Sequence, residues 1–201
     1  MNVFFTFILG LRYPKLIFRK RENEKIVYLT FDDGPTPEVT SEVLACLRKY
    51  NALATFFCLG KNVLDYPDIF HEIIASGHSV GNHTYNHLKG WKTNCEEYVN
   101  DVYNANKLIQ STLFRPPYGR VKSCQITPLL KDFDIIMWDV LSKDYDPEQS
   151  AESCLRRVQK QIRPGSIVVF HDSIKAKKNV LSALPNLLQW LTENNYKCLP
   201  L

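Results

Sequence analysis

The sequence predicts an α/β fold: an irregular or incomplete (β/α) barrel, TIM-barrel-like, of about seven strands. Three observations carry this. From residue 25 to the end, short apolar runs alternate with amphipathic stretches, the pattern of repeated βα units around a parallel sheet. No linker or low-complexity segment interrupts them. The chemically unusual residues fall just after the apolar runs, and in parallel α/β folds those strand ends form one face. With 201 residues and 45% apolar composition, the chain suffices for one substantial core, but it is shorter than the about 250 residues of a complete barrel.

The elements follow in order. Residues 1–24 form an apolar and basic arm, and residues 25–201 the domain. The arm is apolar over Asn2-Val3-Phe4-Phe5-Thr6-Phe7-Ile8-Leu9-Gly10-Leu11, about half of the roughly twenty residues a bilayer-crossing helix needs. It has no basic segment before it and no small-residue cleavage site after it, so it does not read as a cleaved signal peptide. Arg12, Lys15, Arg19, Lys20 and Arg21 follow. The arm reads as packed on the domain, with association to a membrane surface through residues 1–21 as the alternative.

Strands are expected at 26–31, 54–59, 78–82, 113–115, 134–139, 166–170 and 196–199, each a short apolar run bounded by turn residues. Helices are expected at 39–50, where Val43, Leu44 and Leu47 share a face, at 69–76 after Pro67, and at 94–111, 150–162 and 178–193. Gly77 and Gly165 fall where helix gives way to strand and suit C-terminal caps or tight turns. Pro185 is expected to kink or split the last helix.

The net charge of +4 comes partly from the arm, and no basic face interleaved with aromatics follows, which argues against nucleic-acid binding. The six cysteines are scattered without C-x-x-C spacing, which excludes a zinc knuckle or redox motif. Several lie in apolar runs, as Cys58 does, so buried free thiols are expected and with them a reducing compartment. Together with the missing signal, this favours a cytoplasmic or membrane-associated location over export.

The chemistry concentrates in Thr30-Phe31-Asp32-Asp33-Gly34-Pro35 and His83-Thr84-Tyr85-Asn86-His87. Histidines four apart fall on one side of a helical turn and can reach one ion. One carboxylate completes three ligands, leaving open positions, and the other is free to act as a base. Consecutive strand residues point oppositely, but at a strand end turning through Gly34-Pro35 both acids can approach one site. On ligands alone a 2-His-1-carboxylate set suits a zinc hydrolase or an iron(II) oxygenase. His171, closing the apolar run Ile167-Val168-Val169-Phe170, is matched to protonating a leaving amine near neutrality. Arg115, before Pro116-Pro117-Tyr118-Gly119, is placed to offer a guanidinium to a carboxylate, and the turn to offer backbone N–H groups to an oxyanion.

Together these segments resemble the polysaccharide deacetylase family, carbohydrate esterase family 4, or NodB-homology domain, over roughly residues 25–200. Thr30 to Pro35 is similar to the TFDDGP motif, His83 to His87 to H-[ST]-x-x-H, Arg115 to Gly119 to R-x-P-Y-G, Trp138 to Tyr145 to D-x-x-D-W, and Val169 to His171 to L-x-H. The resemblance implies a distorted (β/α) barrel and a metal-dependent hydrolase that removes N-acetyl groups from N-acetylglucosamine-containing glycans, chitin-like or peptidoglycan-like. It implies Asp33, His83 and His87 as ligands of a divalent metal, zinc first, with cobalt or nickel as alternatives. It further implies Asp32 as base, held by Arg115, His171 as acid, oriented by Asp144, and the Tyr118 N–H as oxyanion donor.

The chain departs from the pattern at Tyr145, in place of Trp, at Leu141, where an acid is common, and at Val169, in place of the Leu that lines the acetyl pocket. The last loses about 1 kcal/mol of contact at most. These departures bear on substrate choice. Trp91, Tyr85 and Tyr145 are candidates for stacking on sugar rings. The expected partner is an acetylated carbohydrate substrate, with no protein partner. The functional alternatives are a non-catalytic carbohydrate-binding protein and a hydrolase of a small amide or imide.

Overall fold

The computed structural model describes residues 16–201; the apolar stretch at 2–11 and most of the proposed membrane-associating segment lie outside the described residues. The strands are β1 (Leu16–Ile17), β2 (Ile26–Asp32), β3 (Ala54–Cys58), β4 (Ser79–Asn82), β5 (Leu113–Phe114), β6 (Asp134–Ile136), β7 (Val140–Leu141), β8 (Ile167–His171) and β9 (Lys197–Cys198). The helices are α1 (Pro37–Lys49), α2 (Gly60–Asp65), α3 (Pro67–Ala75), α4 (Cys95–Ile109), α5 (Ser123–Leu129), α6 (Ala151–Gln161) and α7 (Lys177–Glu193).

The sheet runs β1-β6-β5-β4-β3-β2-β8-β7, all pairs parallel, with β9 beside the start of β2. This is an incomplete (β/α) barrel. The predicted strand at 134–139 is in fact two: β6 stops at Ile136, and β7 begins at Val140 on the far side of the sheet, against β8. The intervening Met137-Trp138-Asp139 carries the chain across the gap. There the Asp139 carboxylate accepts from Ile167 N at 2.9 Å and Ser166 Oγ at 3.0 Å, where ladder bonds would otherwise be. The end of the arm joins the sheet as β1 on β6, and Arg19 bridges Ser166.

Period-two alternation sorts β2 between two environments. Val27, Leu29 and Phe31 point to the helices and enter the main core with Phe56, Phe170, Val43, Leu47, Leu184 and Leu188. Tyr28 belongs to the small apolar cluster inside the barrel with Phe57, Ile136 and Ile167, and Thr30 and Asp32 share its face of the strand. A third cluster packs α4 and α5 on β5 and β6 through Tyr98, Val102, Ile126, Phe114 and Ile135.

Capping fixes the helix starts. Pro37 opens α1 with Glu38 in its first turn and Arg48 and Lys49 in its last. Asn94 and Ser150, where two helical patterns were expected to begin, are the N-caps of α4 and α6, each accepting from the backbone N–H three residues on. Gly77 and Gly165 both sit at φ 82, as turns after helices demand. Helix α7 runs unbroken through Pro185, neither split nor divided. Two short helices, α2 and α5, carry no clear periodicity in the sequence and were not expected.

The cysteine expectation is corrected in part. Cys58 and Cys154 are buried free thiols and Cys46 and Cys198 are half-buried ones, but Cys95 and Cys124 form a disulfide with Cα atoms 6.0 Å apart. It joins the first turns of α4 and α5, a meeting that sequence separation hides. Among the described residues, no helix is long and apolar enough to cross a membrane.

Candidate active site

Strand register brings the unusual residues to one rim. Asp32 stands opposite Phe57 and His171, Cys58 opposite Asn82, and Asn82 opposite Phe114. One step beyond these ends come Asp33, His83 and Arg115. Asp33 and His83 border a groove of about 1070 Å³ also lined by Tyr118, Tyr145 and Val169, at the upper limit of what small-ligand sites enclose, whereas Arg115 is fully buried and acts on the groove through Asp32.

Arg115 is the hub. Its side chain is fully buried and its guanidinium stacks 4.0 Å from the Phe57 ring centre. Its Nη1 donates to Asp32 Oδ1 at 2.7 Å and Thr30 Oγ1 at 2.6 Å, while Nε and Nη2 donate to the carbonyls of Ile136 and Met137. A buried charge of this size persists only when paired and hydrogen-bonded throughout. The pair therefore fixes the Asp32 carboxylate by one oxygen.

Asp33 is positioned differently. The strand has ended, and Asp33 takes φ 82, so its side chain turns to the same site as that of Asp32 instead of the opposite face. Its carbonyl accepts from Asn62 Nδ2 at 2.8 Å. The following turn is pinned by Asp172, which accepts from Gly34 N at 3.0 Å and Thr40 Oγ1 at 2.6 Å. A side chain at position 34 would run into that carboxylate.

His83 and His87 do meet, but not on a helical turn as expected. They lie on an irregular loop after β4, in which Thr84 (φ 69) and His87 (φ 57) are left-handed. The loop is held by Asn82, which accepts from Thr84 N at 2.8 Å, and by Asp101 of α4, which accepts from Tyr85 N, Asn86 N and Asn86 Nδ2 at 2.6 to 3.1 Å. From the other side, the first N–H groups of α2, on Gly60 and Lys61, donate to the carbonyls of Thr84 and Tyr85.

The three side chains offer ligand atoms within 4.8 Å of one another. Asp33 Oδ1 lies 3.1 Å from His87 Nε2 and 3.6 Å from His83 Nε2, yet this buried oxygen makes no directional hydrogen bond. His83 Nδ1 lies 2.8 Å from the Arg115 carbonyl, which makes Nδ1 the protonated nitrogen and leaves Nε2 with its lone pair. Burial, opposed by the nearby Asp32 charge, lowers the His83 pKa to about 4, so the ring is neutral. Acceptors that face one another without a donor are the donor set of a divalent cation with open positions.

His171 ends β8 with Nδ1 2.8 Å from Asp144 Oδ1, and its backbone N donates to Asp144 Oδ2 at 2.7 Å. Asp144 is fully buried and also accepts from Ser142 Oγ. Burial opposes charge on His171, but Asp144, with smaller help from Asp33 and Asp32, raises its pKa to about 9. Tyr145 packs edge-on against the ring at 4.9 Å. Tyr118 (φ 60) sets its ring 4.8 Å from that of His87 and its hydroxyl 3.3 Å from His87 Nδ1.

All eight expected site residues thus converge. Sequence reasoning missed the groups that hold them, namely Thr30, Asn82, Asp101 and Asp172. Thr30, Asn82 and Asp101 read as ordinary polar residues in a strand or helix, and Asp172 as the acid that follows His171 at a strand end; only its contacts give each its role.

The profile of a family described as polysaccharide deacetylase matches residues 19–134. A peptidoglycan-N-acetylglucosamine deacetylase of Bacillus cereus is 35% identical over 185 residues, covering 87% of this chain and 85% of the relative. A chitooligosaccharide deacetylase of Azorhizobium caulinodans is 34% identical over 163 residues, 77% of each chain. Among solved structures, a peptidoglycan N-acetylglucosamine deacetylase superimposes with a TM-score of 0.90 at 30% identity, covering 96% of this chain and 93% of the other.

Proposed function

The chain belongs to the polysaccharide deacetylase family, and from that premise we propose that it is a metal-dependent hydrolase that removes N-acetyl groups from N-acetylglucosamine-containing glycans. It cleaves the non-peptide carbon–nitrogen bond of the acetamide in a chitin-like or peptidoglycan-like chain. The observation that carries this reading is the division of the two adjacent carboxylates. Asp32 is tied to a buried arginine, and Asp33 is grouped with two imidazoles.

Asp33, His83 and His87 hold the cation, which we take as zinc, the same donors also accepting cobalt or nickel. When bound there, the ion makes a water acidic and polarises the acetyl carbonyl. Arg115 occupies Asp32 Oδ1, which leaves Oδ2 to take the proton of the attacking water. The backbone N–H of Tyr118, beside His87, donates to the oxygen that gains negative charge. Asp144 holds Nδ1 of His171, so Nε2 is the proton donor, and a pKa of about 9 keeps it charged at neutrality. It protonates the sugar nitrogen as the carbon–nitrogen bond breaks, releasing acetate and a free amine. Val169, Leu141 and Trp138 line the groove and suit the acetyl methyl.

The test is acetate release from N-acetylglucosamine oligomers by zinc-loaded protein. Asp32→Asn should lower kcat by about 10²–10⁴-fold while the metal content stays at the wild-type level. Full activity in that variant overturns the base assignment. Wild-type protein that binds oligomers without releasing acetate is a carbohydrate-binding protein instead, and release only from small amides or imides moves the substrate to that class.

A further inference from the structure

We infer that the groove selects N-acetylated glycans bearing carboxylates beside the reacting sugar, through four rim cations: Lys89, Lys92, Arg120 and Lys175. The inference rests on the deacetylase reading and narrows its substrate. All four side chains are exposed and line the groove. None forms an ion pair with a carboxylate among the described residues, whereas Arg48, Arg156, Lys177 and Lys197 on other surfaces do. The acids in the lining are Asp32 and Asp33, one neutralised by Arg115 and the other placed among the imidazoles. The rim is therefore of one sign, and a cleft of one sign focuses its field on an oppositely charged ligand.

Aromatic faces accompany three of these charges. Lys89 Nζ lies 5.1 Å from the Tyr118 ring centre, the Arg120 guanidinium 4.9 Å from that of Trp91, and Lys175 Nζ 5.5 Å from that of Tyr145. Trp91 and Tyr118 are about half exposed, at 50% and 49%. A ring that can stack on a sugar beside an unpaired cation is a pair of contacts for a sugar that carries an acid. Lys89, Lys92 and Arg120 rise from the loops after β4 and β5, Lys175 from the loop after β8, and β2, with Asp32 at its end and Asp33 just beyond it, lies between these strands in the sheet. Charge therefore flanks the reaction centre on both sides. A neutral polymer gains the stacking of this arrangement but not its charge contacts. The shared chemistry is the carboxylate, whether on a lactyl ether of the next sugar or on a peptide attached to it.

The experiment compares kcat/KM for acetate release by metal-loaded enzyme on neutral N-acetylglucosamine oligomers and on glycan strands of equal length bearing lactyl carboxylates, with and without peptides. It is run at low and moderate salt. The expected result is a preference for a carboxylate-bearing strand of tenfold or more at low salt, about 1.4 kcal/mol, expressed in KM. The preference should shrink as the screening length falls from about 30 Å to about 10 Å. Preference that survives peptide removal assigns the contact to sugar carboxylates, preference that disappears assigns it to peptide carboxylates, and both support the inference. Lys89→Gln/Arg120→Gln/Lys175→Gln should bring the ratio towards one. Lys175→Gln alone, remote from the Trp91 stack, should lower it in part. Equal kcat/KM on neutral and charged strands, or an unchanged ratio in the triple variant, overturns the assignment. Acetate from neither substrate overturns the deacetylase reading itself, and this inference with it.

Discussion

The two halves of the site solve the problem of burying charge in opposite ways. On one side every charge has its partner: Arg115 meets Asp32 at 2.7 Å and His171 meets Asp144 at 2.8 Å, with the Arg115 guanidinium and the Asp144 carboxylate further satisfied by backbone and hydroxyl groups. On the other, Asp33, His83 and His87 bring acceptors together with no donor among them. The first half is complete as folded, because pairing and hydrogen bonding offset desolvation. The second half is complete only with a cation. Backbone geometry follows the same division. Asp32 and His171 sit on paired strands, where a ladder fixes them, whereas Asp33 and His87 take left-handed conformations on loops and depend on Asp101, Asn82 and Asp172 for their position.

Breaking the acceptor half should have the largest effect. Asp33→Ala or His87→Ala is expected to reduce bound metal well below one per chain and activity to the level of chelator-treated enzyme. The metal content, read by elemental analysis, separates this from Asp32→Asn, which should keep its metal.

Breaking the compensated half should act through pH. His171 has a folded pKa of about 9 against about 6.5 for an unstrained imidazole. Its contribution to stability is therefore fully present below pH about 6.5 and is lost as pH rises through 9. Asp144→Asn removes the charge that raises it, so the alkaline limb of kcat should move down towards 6.5. At pH 8 the protonated fraction would then fall about 30-fold, with metal content unchanged. A kcat profile that keeps its alkaline limb near 9 in this variant would show that another group supplies the proton.

The smallest effect sharpens the comparison. Asp101 touches neither metal nor substrate in this reading but accepts three hydrogen bonds from the histidine loop. Asp101→Ala should weaken metal affinity by roughly 10–100-fold, as loss of an outer support does. It should leave the alkaline limb of His171 in place, which a general loss of fold would not.

Much of the fold was legible because its signal is local. The apolar runs that became β2, β3 and β8 are buried on both faces, so each reads as an unbroken run of side chains that need no partner to be recognised. Asn94 and Ser150 announced their helices because a cap acts within three residues. The site residues were legible for a related reason, since acids and histidines directly after apolar strands have few uses other than chemistry. The failures are non-local. The chain at Met137-Trp138-Asp139 breaks one expected strand into β6 and β7 because it leaves the sheet next to β1 at one end and rejoins it beside β8 at the other. Cys95 and Cys124 pair because α4 and α5 begin side by side. The H-x-x-x-H spacing suggested a helical turn, yet the rings converge through left-handed backbone at Thr84 and His87, held by a residue of another helix.

By itself, then, the sequence determined the succession of strands and helices and the chemical types gathered at their ends, because those depend on short-range periodicity and on the reactivity of single side chains. Only the tertiary structure decided which carboxylate is held by Arg115, which faces the imidazoles, what charge surrounds them on the rim and which distant acids pin the loops. Each of these is a contact between residues far apart in the chain, and its distance exists only once the sheet has brought them together.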